Sequence, residues 1–398
     1  MQSLNLNPKL LKRLFISASL LRWNDRASPL EFWELDKQAY KLILAFVFAR
    51  IEEDLGEGID YNRLAHLFFF GFFERVVLTD IKQPLFERLK RECAKEFAAY
   101  VANEIKDEVG GYEFFRDLED SIARPEDSLE SKVLAAAHLY SSKWEFDLIH
   151  DFNPNLYDVR KIKYEIDSQC DKSESRGLLR LKEDKDFRDC LGLFAELRFQ
   201  KRWSLTPRVP QTSVLGHTLI VAMCAYLLSI DLGFSEKMQV DHLFCGLFHD
   251  LPEVLTRDLI SPVKKSVEGL DAFLKKIEEE EVESKIISKL PPFIGGDLKY
   301  WTKNEFENRF LDSNGRVCVA EKVEDLLVEG VRRPIAGELL KFCDRFSAFL
   351  EARISIHHGL SSEILRSGVA SAYNELKGKE ILGFKLGRLV LDFEDSLT

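Results

Sequence analysis

Apolar residues recur three and four positions apart through most of this chain, and stretches alternating with period two are scarce, so the pattern predicts helix almost throughout. The stretch 212–230 is the clearest case. Val214, Leu215, Thr218, Leu219, Val221, Ala222, Ala225, Tyr226, Leu227 and Leu228 fill most of a helical circumference, which predicts a helix enclosed in a bundle with His217 facing the interior. A second helix is expected from Ser235 or Glu236 to Asp250, with Gly233 making the turn before it and Ser235 as N-cap. Pro252 disfavours helical geometry at Leu251, so the helix should break after Asp250 and restart with Pro252 in a first turn. His249 and Asp250 then sit at a helix end, where irregular backbone lets two neighbouring side chains converge. The fold class expected is all-α.

Between about 165 and 189 the sequence turns charged and loses large apolar residues, with Asp167, Asp171, Lys172, Glu174 and Arg176 in succession. This divides the chain into a helical domain at 1–165, a charged linker region at 166–188 and a second domain with C-terminal helices at 189–398. The stretch 275–285 is also charged, but Ile277, Val282 and Ile286 space it as a solvated helix. The two halves share a pattern. Arg22-Trp23 matches Arg202-Trp203, Leu64-Ala65-His66 matches Val240-Asp241-His242, and Val77-Leu78-Thr79-Asp80 with Pro84 matches Val254-Leu255-Thr256 and Asp258 with Pro262. From Trp to Asp the separation is 57 residues in the first half and 55 in the second, as expected of an internal duplication.

Composition narrows the class. Of the 398 residues, 45% are hydrophobic and 31% charged, the balance of a folded globular protein. The runs 42–49 and 67–73 fall short of the roughly 18 apolar residues a membrane span needs, and the first fifteen residues lack a secretory pattern. Seven cysteines without a C-x-x-C pair suggest reduced, structural thiols and a cytoplasmic protein. A net charge of −11 argues against bulk nucleic acid, because an acidic surface repels the phosphate backbone. A small anion still has a candidate basic patch in Arg202, Arg257, Lys264 and Lys265.

The candidate chemistry lies in the second half. His217 precedes His249 by 32 residues, enough for one helix to leave and the next to return antiparallel, bringing both imidazoles together in a bundle core. Asp250 adds a carboxylate, and Glu321, in a later apolar run, offers another; Asp325, one turn on, is the alternative. Two imidazoles and two carboxylates suit one divalent ion among Mn, Co, Mg, Zn, Ni and Fe with little selectivity. Glu253, three residues after Asp250, is placed to orient water or take its proton. Asp258 and Lys264 are candidates for a sugar hydroxyl and a phosphate. In the first half the matching positions hold Lys37 or Gln38, Phe73, Glu74 and Val76, with Ala137 in the place of Glu321, so no metal is expected there. His150-Asp151 lacks partners at suitable spacing and reads as structural, and His242, matched by His66, reads as packing. No phosphate-binding glycine loop or dinucleotide fingerprint supports ATP or NAD chemistry.

Arg202-Trp203, His217, His249-Asp250, Glu253-Val254-Leu255-Thr256, Asp258 and Pro262-Val263-Lys264 together resemble the HD-domain metal phosphohydrolases, and in detail their bacterial 5′-deoxynucleotidase branch, over roughly 193–355. The resemblance implies two tandem HD-type helical bundles with a degenerate first copy, and hydrolysis of a (deoxy)nucleoside 5′-monophosphate. It implies metal held by His217, His249, Asp250 and a later acid, with Glu253 as catalytic acid or base. Arg202 and Lys264 would approach phosphate, and Trp203 with Asp258 would favour a sugar lacking the 2′-hydroxyl. The chain departs from the family at Glu321, where an Asp is usual, at Arg257, where a small residue is usual, and at Pro252. The alternative is a non-catalytic metal- or nucleotide-binding regulatory protein on the same fold. The partner expected is a small phosphorylated substrate, with no membrane, and the chain is either a monomer with an internal pseudo-dimer or a homo-oligomer.

Overall fold

The structure, a computed structural model, describes residues 4–79, 81, 83–256 and 270–397. It is helical with little sheet, as the periodicity predicts. In the first half α1 (Pro8–Ile16) leads through a short hairpin, β1 (Leu21–Arg22) and β2 (Phe32–Trp33), into the long core helix α2 (Glu34–Asp54) and its neighbour α3 (Tyr61–Val77). Then come α4 (Gln83–Glu92), α5 (Ala94–Val109), α6 (Leu118–Ala123), α7 (Leu129–Phe152) and α8 (Val159–Lys172).

The charged stretch expected as a linker is helical. It holds the end of α8, then α9 (Arg176–Glu183) and the start of α10 (Lys185–Glu196). Leu178, Leu181 and Phe187 anchor it, all nearly inaccessible to solvent. Three apolar residues at helical spacing suffice to dock helices whose other faces are charged, so the drop in mean hydropathy hides the packing.

The second half is also mainly helical. A β-bridge between Lys201 and Ser213 precedes α11 (Val214–Asp231), followed by α12 (Glu236–Phe248), the short α13 (Glu253–Thr256), α14 (Leu270–Lys285) and α15 (Pro292–Thr302). A small antiparallel sheet, in the order β4 (Val317–Val319), β3 (Arg309–Leu311), β5 (Arg332–Ile335), intervenes before α16 (Gly337–His357), α17 (Glu363–Leu376) and α18 (Gly387–Asp395). Strands of three and four residues are too short to show alternation, so the periodicity does not reveal this sheet.

Ser213 caps α11 by accepting the Gly216 N–H at 2.9 Å, and Ser235 caps α12 as expected. By length and composition α11 alone among the described helices could cross a membrane, yet 89% of it is buried inside the protein. Its closest neighbour is α12, where Gly246 lets the backbones approach: a Cβ there would lie 2.8 Å from Ala222 Cα. His249 follows Gly246 by three residues, so this close crossing sets how near the two histidines come. One hydrophobic core runs through both halves, from Leu10 and Phe46 to Phe244, Phe346 and Phe393.

Candidate metal centre

The centre is assembled from three helices. His217 comes from the second turn of α11, His249 and Asp250 from the end of α12 and the turn after it, and Asp344 from the middle of α16. Ligand atoms of His217, His249 and Asp344 all lie within 4.8 Å of one another. His217 Nε2 is 3.0 Å from Asp344 Oδ1 and 3.9 Å from Asp250 Oδ2. His249 Nε2 is 3.3 Å from Asp250 Oδ1 and 4.0 Å from Asp344 Oδ1.

These groups fit a cation. The His249 Nδ1–H donates to the Gly246 carbonyl at 2.8 Å, so in the neutral imidazole the lone pair sits on Nε2. Among the described residues that nitrogen is buried with no hydrogen-bond partner, and it faces two carboxylates. A lone pair turned toward anionic oxygens is unfavourable unless positive charge lies between them. Burial and the nearby Arg202 press the His217 pKa down, yet hydrogen bonds to Asp344 and Glu351 overcome both and raise it to about 9. Burial would raise Asp344, but His217, His249 and Arg202 hold it well below the ordinary carboxylate range. The cluster is a negatively charged nest drawing in positive charge.

Glu351, two turns after Asp344 on α16, supports the centre from behind. It is 1% exposed and receives the Trp203 indole N–H at 2.9 Å and the Thr212 hydroxyl at 2.6 Å. Its carboxylate also lies 3.6 Å from His217 Nδ1 and 3.6 Å from Arg202 Nε. One buried anion thus ties a metal-facing histidine to the Arg-Trp pair at the cleft. Burial opposes its charge, but Arg208, Arg202 and His217 hold it ionised, well below the usual range. Ser347, at 3.1 Å, shares the His217 Nδ1.

A cleft of about 980 Å³ opens over the cluster, lined by Arg202, Trp203, His249, Asp250, Glu253 and Asp344. Arg202 reaches within 4.0 Å of Asp250. Trp203 takes a left-handed φ of 58° and lays its indole on α17, where Gly368 leaves room; a Cβ there would meet the ring at 2.5 Å. Glu253 begins α13, its carbonyl held by the Gln200 amide at 2.9 Å. Phe306 places its ring 6.2 Å from that of His249. The loop carrying Phe306 is pinned by buried Arg309, whose guanidinium donates to the carbonyls of Asn304, Glu305 and Glu307 at 3.0–3.1 Å.

The geometry thus brings together His217, His249, Asp250, Arg202, Trp203 and Glu253. It does not bring in Glu321, which is exposed on the loop after β4, or Asp325, whose side chain caps its own turn by accepting the Lys322 N–H at 3.1 Å. The carboxylate beside the histidines is Asp344. Asp258 and Lys264, like Arg257 and Lys265, lie outside the described residues. Asp344, Glu351, Phe306 and Arg309 do not stand out in the motif reading. The available signal was one face of α16, where Asp344, Ser347 and Glu351 fall at helical spacing among Leu340, Cys343 and Leu350.

Other histidines lie outside the cluster. His242 is fully buried, its Nδ1 2.6 Å from Ser229 Oγ and its Nε2 accepting the Ala336 N–H at 2.9 Å. His150 meets its neighbour Asp151, at 3.3 Å, near the end of α7. All seven cysteines are free thiols.

Residues 194–373 match the HD domain family. Over that span the chain is similar to HD domains. HD domains bind divalent metals, and the cluster of His217, His249 and Asp344 lies within the matched span. Proteins similar to this chain include a 5′-deoxynucleotidase of Vibrio atlanticus, 29% identical over 34% of this chain and 73% of the relative. A second, from Photobacterium profundum, is 32% identical over 24% of this chain and 51% of the relative. A third, from Vibrio vulnificus, is 33% identical over 26% and 55%. The chain spans about half the length of the latter two. No solved structure gives a significant match.

Proposed function

We propose that this protein is a metal-dependent phosphohydrolase, a phosphomonoesterase acting on (deoxy)nucleoside 5′-monophosphates, with His217, His249, Asp250 and Asp344 holding one divalent ion. The observation that carries this reading is the buried, unpartnered His249 Nε2 turned toward two carboxylates at the floor of an open cleft. The nucleotide class follows from the similarity to proteins named 5′-deoxynucleotidases. A divalent ion bound there supplies Lewis-acid stabilisation of phosphoryl charge and acidifies water.

The chain's own groups supply the rest. Arg202, clamped by Glu351, offers a fixed cation to the phosphate. Glu253 takes a proton from the attacking water and passes one to the departing sugar oxygen, so that a phosphate ester and water become an alcohol and inorganic phosphate. Trp203 packs against the sugar. Asp258 and Lys264 complete the substrate contacts.

The first half, 1–165, is read as a degenerate copy packed on the catalytic half, 189–398, as a built-in pseudo-dimer. Parallel contacts support this. Trp23, with φ 56°, donates its indole N–H to Glu145 at 2.9 Å, as Trp203 does to Glu351. Lys37 touches His138 at 2.5 Å, as His217 touches Asp344. His138 and Glu145 are seven positions apart, as are Asp344 and Glu351, a spacing that supports His138 rather than Ala137 as the counterpart of the last ligand. Burial, reinforced by Arg22, holds Lys37 well below the ordinary lysine range. The free thiols agree with a reducing, cytoplasmic setting.

The test is a metal analysis coupled to phosphate release from a nucleotide panel with Mn or Co. About one ion per chain and release from nucleoside monophosphates are expected. Asp344→Ala should abolish both, and Glu321→Ala should change neither. Metal retained without turnover on any phosphate ester would instead mark a binding protein.

A further inference from the structure

Among the contacts between the first half and the metal-bearing helix, one is buried and polar. Asp36, in the first turn of α2, is 4% exposed, and its Oδ1 accepts the Ser213 hydroxyl proton at 2.6 Å. Ser213 is the N-cap of α11, and its oxygen accepts the Gly216 N–H at 2.9 Å. Donating its proton to Asp36 leaves a Ser213 lone pair aimed at the helix, so the carboxylate fixes the orientation of the cap. His217 is the next residue, and its N–H bonds the Ser213 carbonyl at 3.0 Å. The approach depends on Gly216, since a Cβ there would lie 2.8 Å from Asp36 Oδ1 and 2.9 Å from Leu35.

An acid in a first turn ordinarily serves its own helix dipole, and it does so as well from the surface. Burying a carboxylate is costly unless a partner needs it, and here the partner belongs to the other half. The same corner is fastened by Arg198 of the second half, which donates to Glu145 of the first at 2.9 Å with both side chains inaccessible. In the duplicate register Asp36 and Gly216 are equivalent positions facing each other. A symmetric pair would oppose two carboxylates or leave a void, and the unequal pair avoids both.

Resting on the metal-centre reading above, we propose that Asp36 is a positioning residue for that centre: the first half holds the cap and first turn of α11, and through it His217, in register with His249 and Asp344.

The full-length chain with Asp36→Ala, Ser213→Ala, both together, and Asp36→Asn tests this. Two measurements are made, amide hydrogen exchange of 214–219 without metal, and Mn affinity with kcat and KM. Asp36→Ala and Ser213→Ala should each speed exchange in that turn relative to α16. Each should weaken Mn binding about ten-fold and lower kcat with KM nearly unchanged, and the double variant should be no worse than Ser213→Ala alone, which loses the cap as well as the Asp36 bond. Asp36→Asn, whose amide oxygen accepts the same hydroxyl proton, should restore wild-type behaviour. If Asp36→Ala does not fold, Ser213→Ala removes the same bond from the other side. A lowered melting temperature with exchange in 214–219 and Mn affinity unchanged would overturn the proposal, as would additive losses in the double variant. A wild-type chain that takes no Mn would sink the metal-centre reading instead, and the exchange comparison would still decide whether Asp36 holds the turn.

Discussion

Glu351 shows how a single buried charge organises this site. It does not line the cleft, yet it sets the Trp203 indole, the Arg202 guanidinium and the far side of His217. Glu351→Gln keeps the volume and loses the charge, so one amide N–H must face the donors Trp203, Thr212 and Arg202. Loss of such outer-shell support costs on the order of 10- to 100-fold in metal affinity or activity, and a loss in that range is expected by metal titration and by kcat/KM. His217, His249 and Asp250 were legible in the sequence because a histidine beside a carboxylate after a capped helix leaves a local signature. Asp344 was not. Glu321, in an apolar run nearer the motif, offers a carboxylate first. The acid that meets the histidines follows Cys343, beyond an inserted hairpin, on a helix whose apolar periodicity made its polar residues look incidental.

Two consequences belong to whole elements. Helix α17 carries Gly368 directly beneath the Trp203 ring. Gly368→Ala stabilises the helix by roughly 1 kcal/mol in propensity, yet it must push the indole into the cleft. The expected result is an unchanged or higher melting temperature with KM raised several-fold, measured by calorimetry and steady-state kinetics. The second concerns His242, which joins α11, α12 and the start of α16 as a neutral imidazole. Burial, with Arg309 adding to it, pushes its pKa down to about 3. Unfolded histidine titrates near 6.5, so below that pH the unfolded chain gains a proton that the folded chain refuses. Stability from this residue is therefore complete above about pH 6.5 and is lost as pH falls toward 3. Denaturation midpoints of wild type and His242→Gln should converge on acidification; parallel curves would contradict this. At this scale the sequence revealed helices well and connectors poorly. Ser235 and Pro252 mark boundaries by local chemistry, whereas α9 and the three short strands are held by tertiary contacts that composition does not display.

Across the whole molecule, the halves share a core and buried charge. Arg198 and Glu145 pair between them with neither side chain accessible, and separating such a pair costs about 3–5 kcal/mol when one partner is left behind. The isolated segment 186–398 would expose the α2-facing side of α11 and strand Arg198. Expression of that segment should give aggregated or poorly folded protein by size-exclusion and circular dichroism, and a soluble, active monomer would remove the first half's structural role. The repeated Arg-Trp pairs hinted at this organisation. Its energetic content was hidden, because no pattern within one half tells which of its faces the other half covers.

Helix α11 is apolar around its whole circumference and has no wet side to present. During synthesis its partner α2 leaves the ribosome first, and about 177 residues separate the two C-terminal ends. At roughly 5–20 residues per second, the greasy groove on α2 waits on the order of ten to thirty seconds for its occupant. Nascent chains halted between these points are therefore the form of this protein most in need of a chaperone.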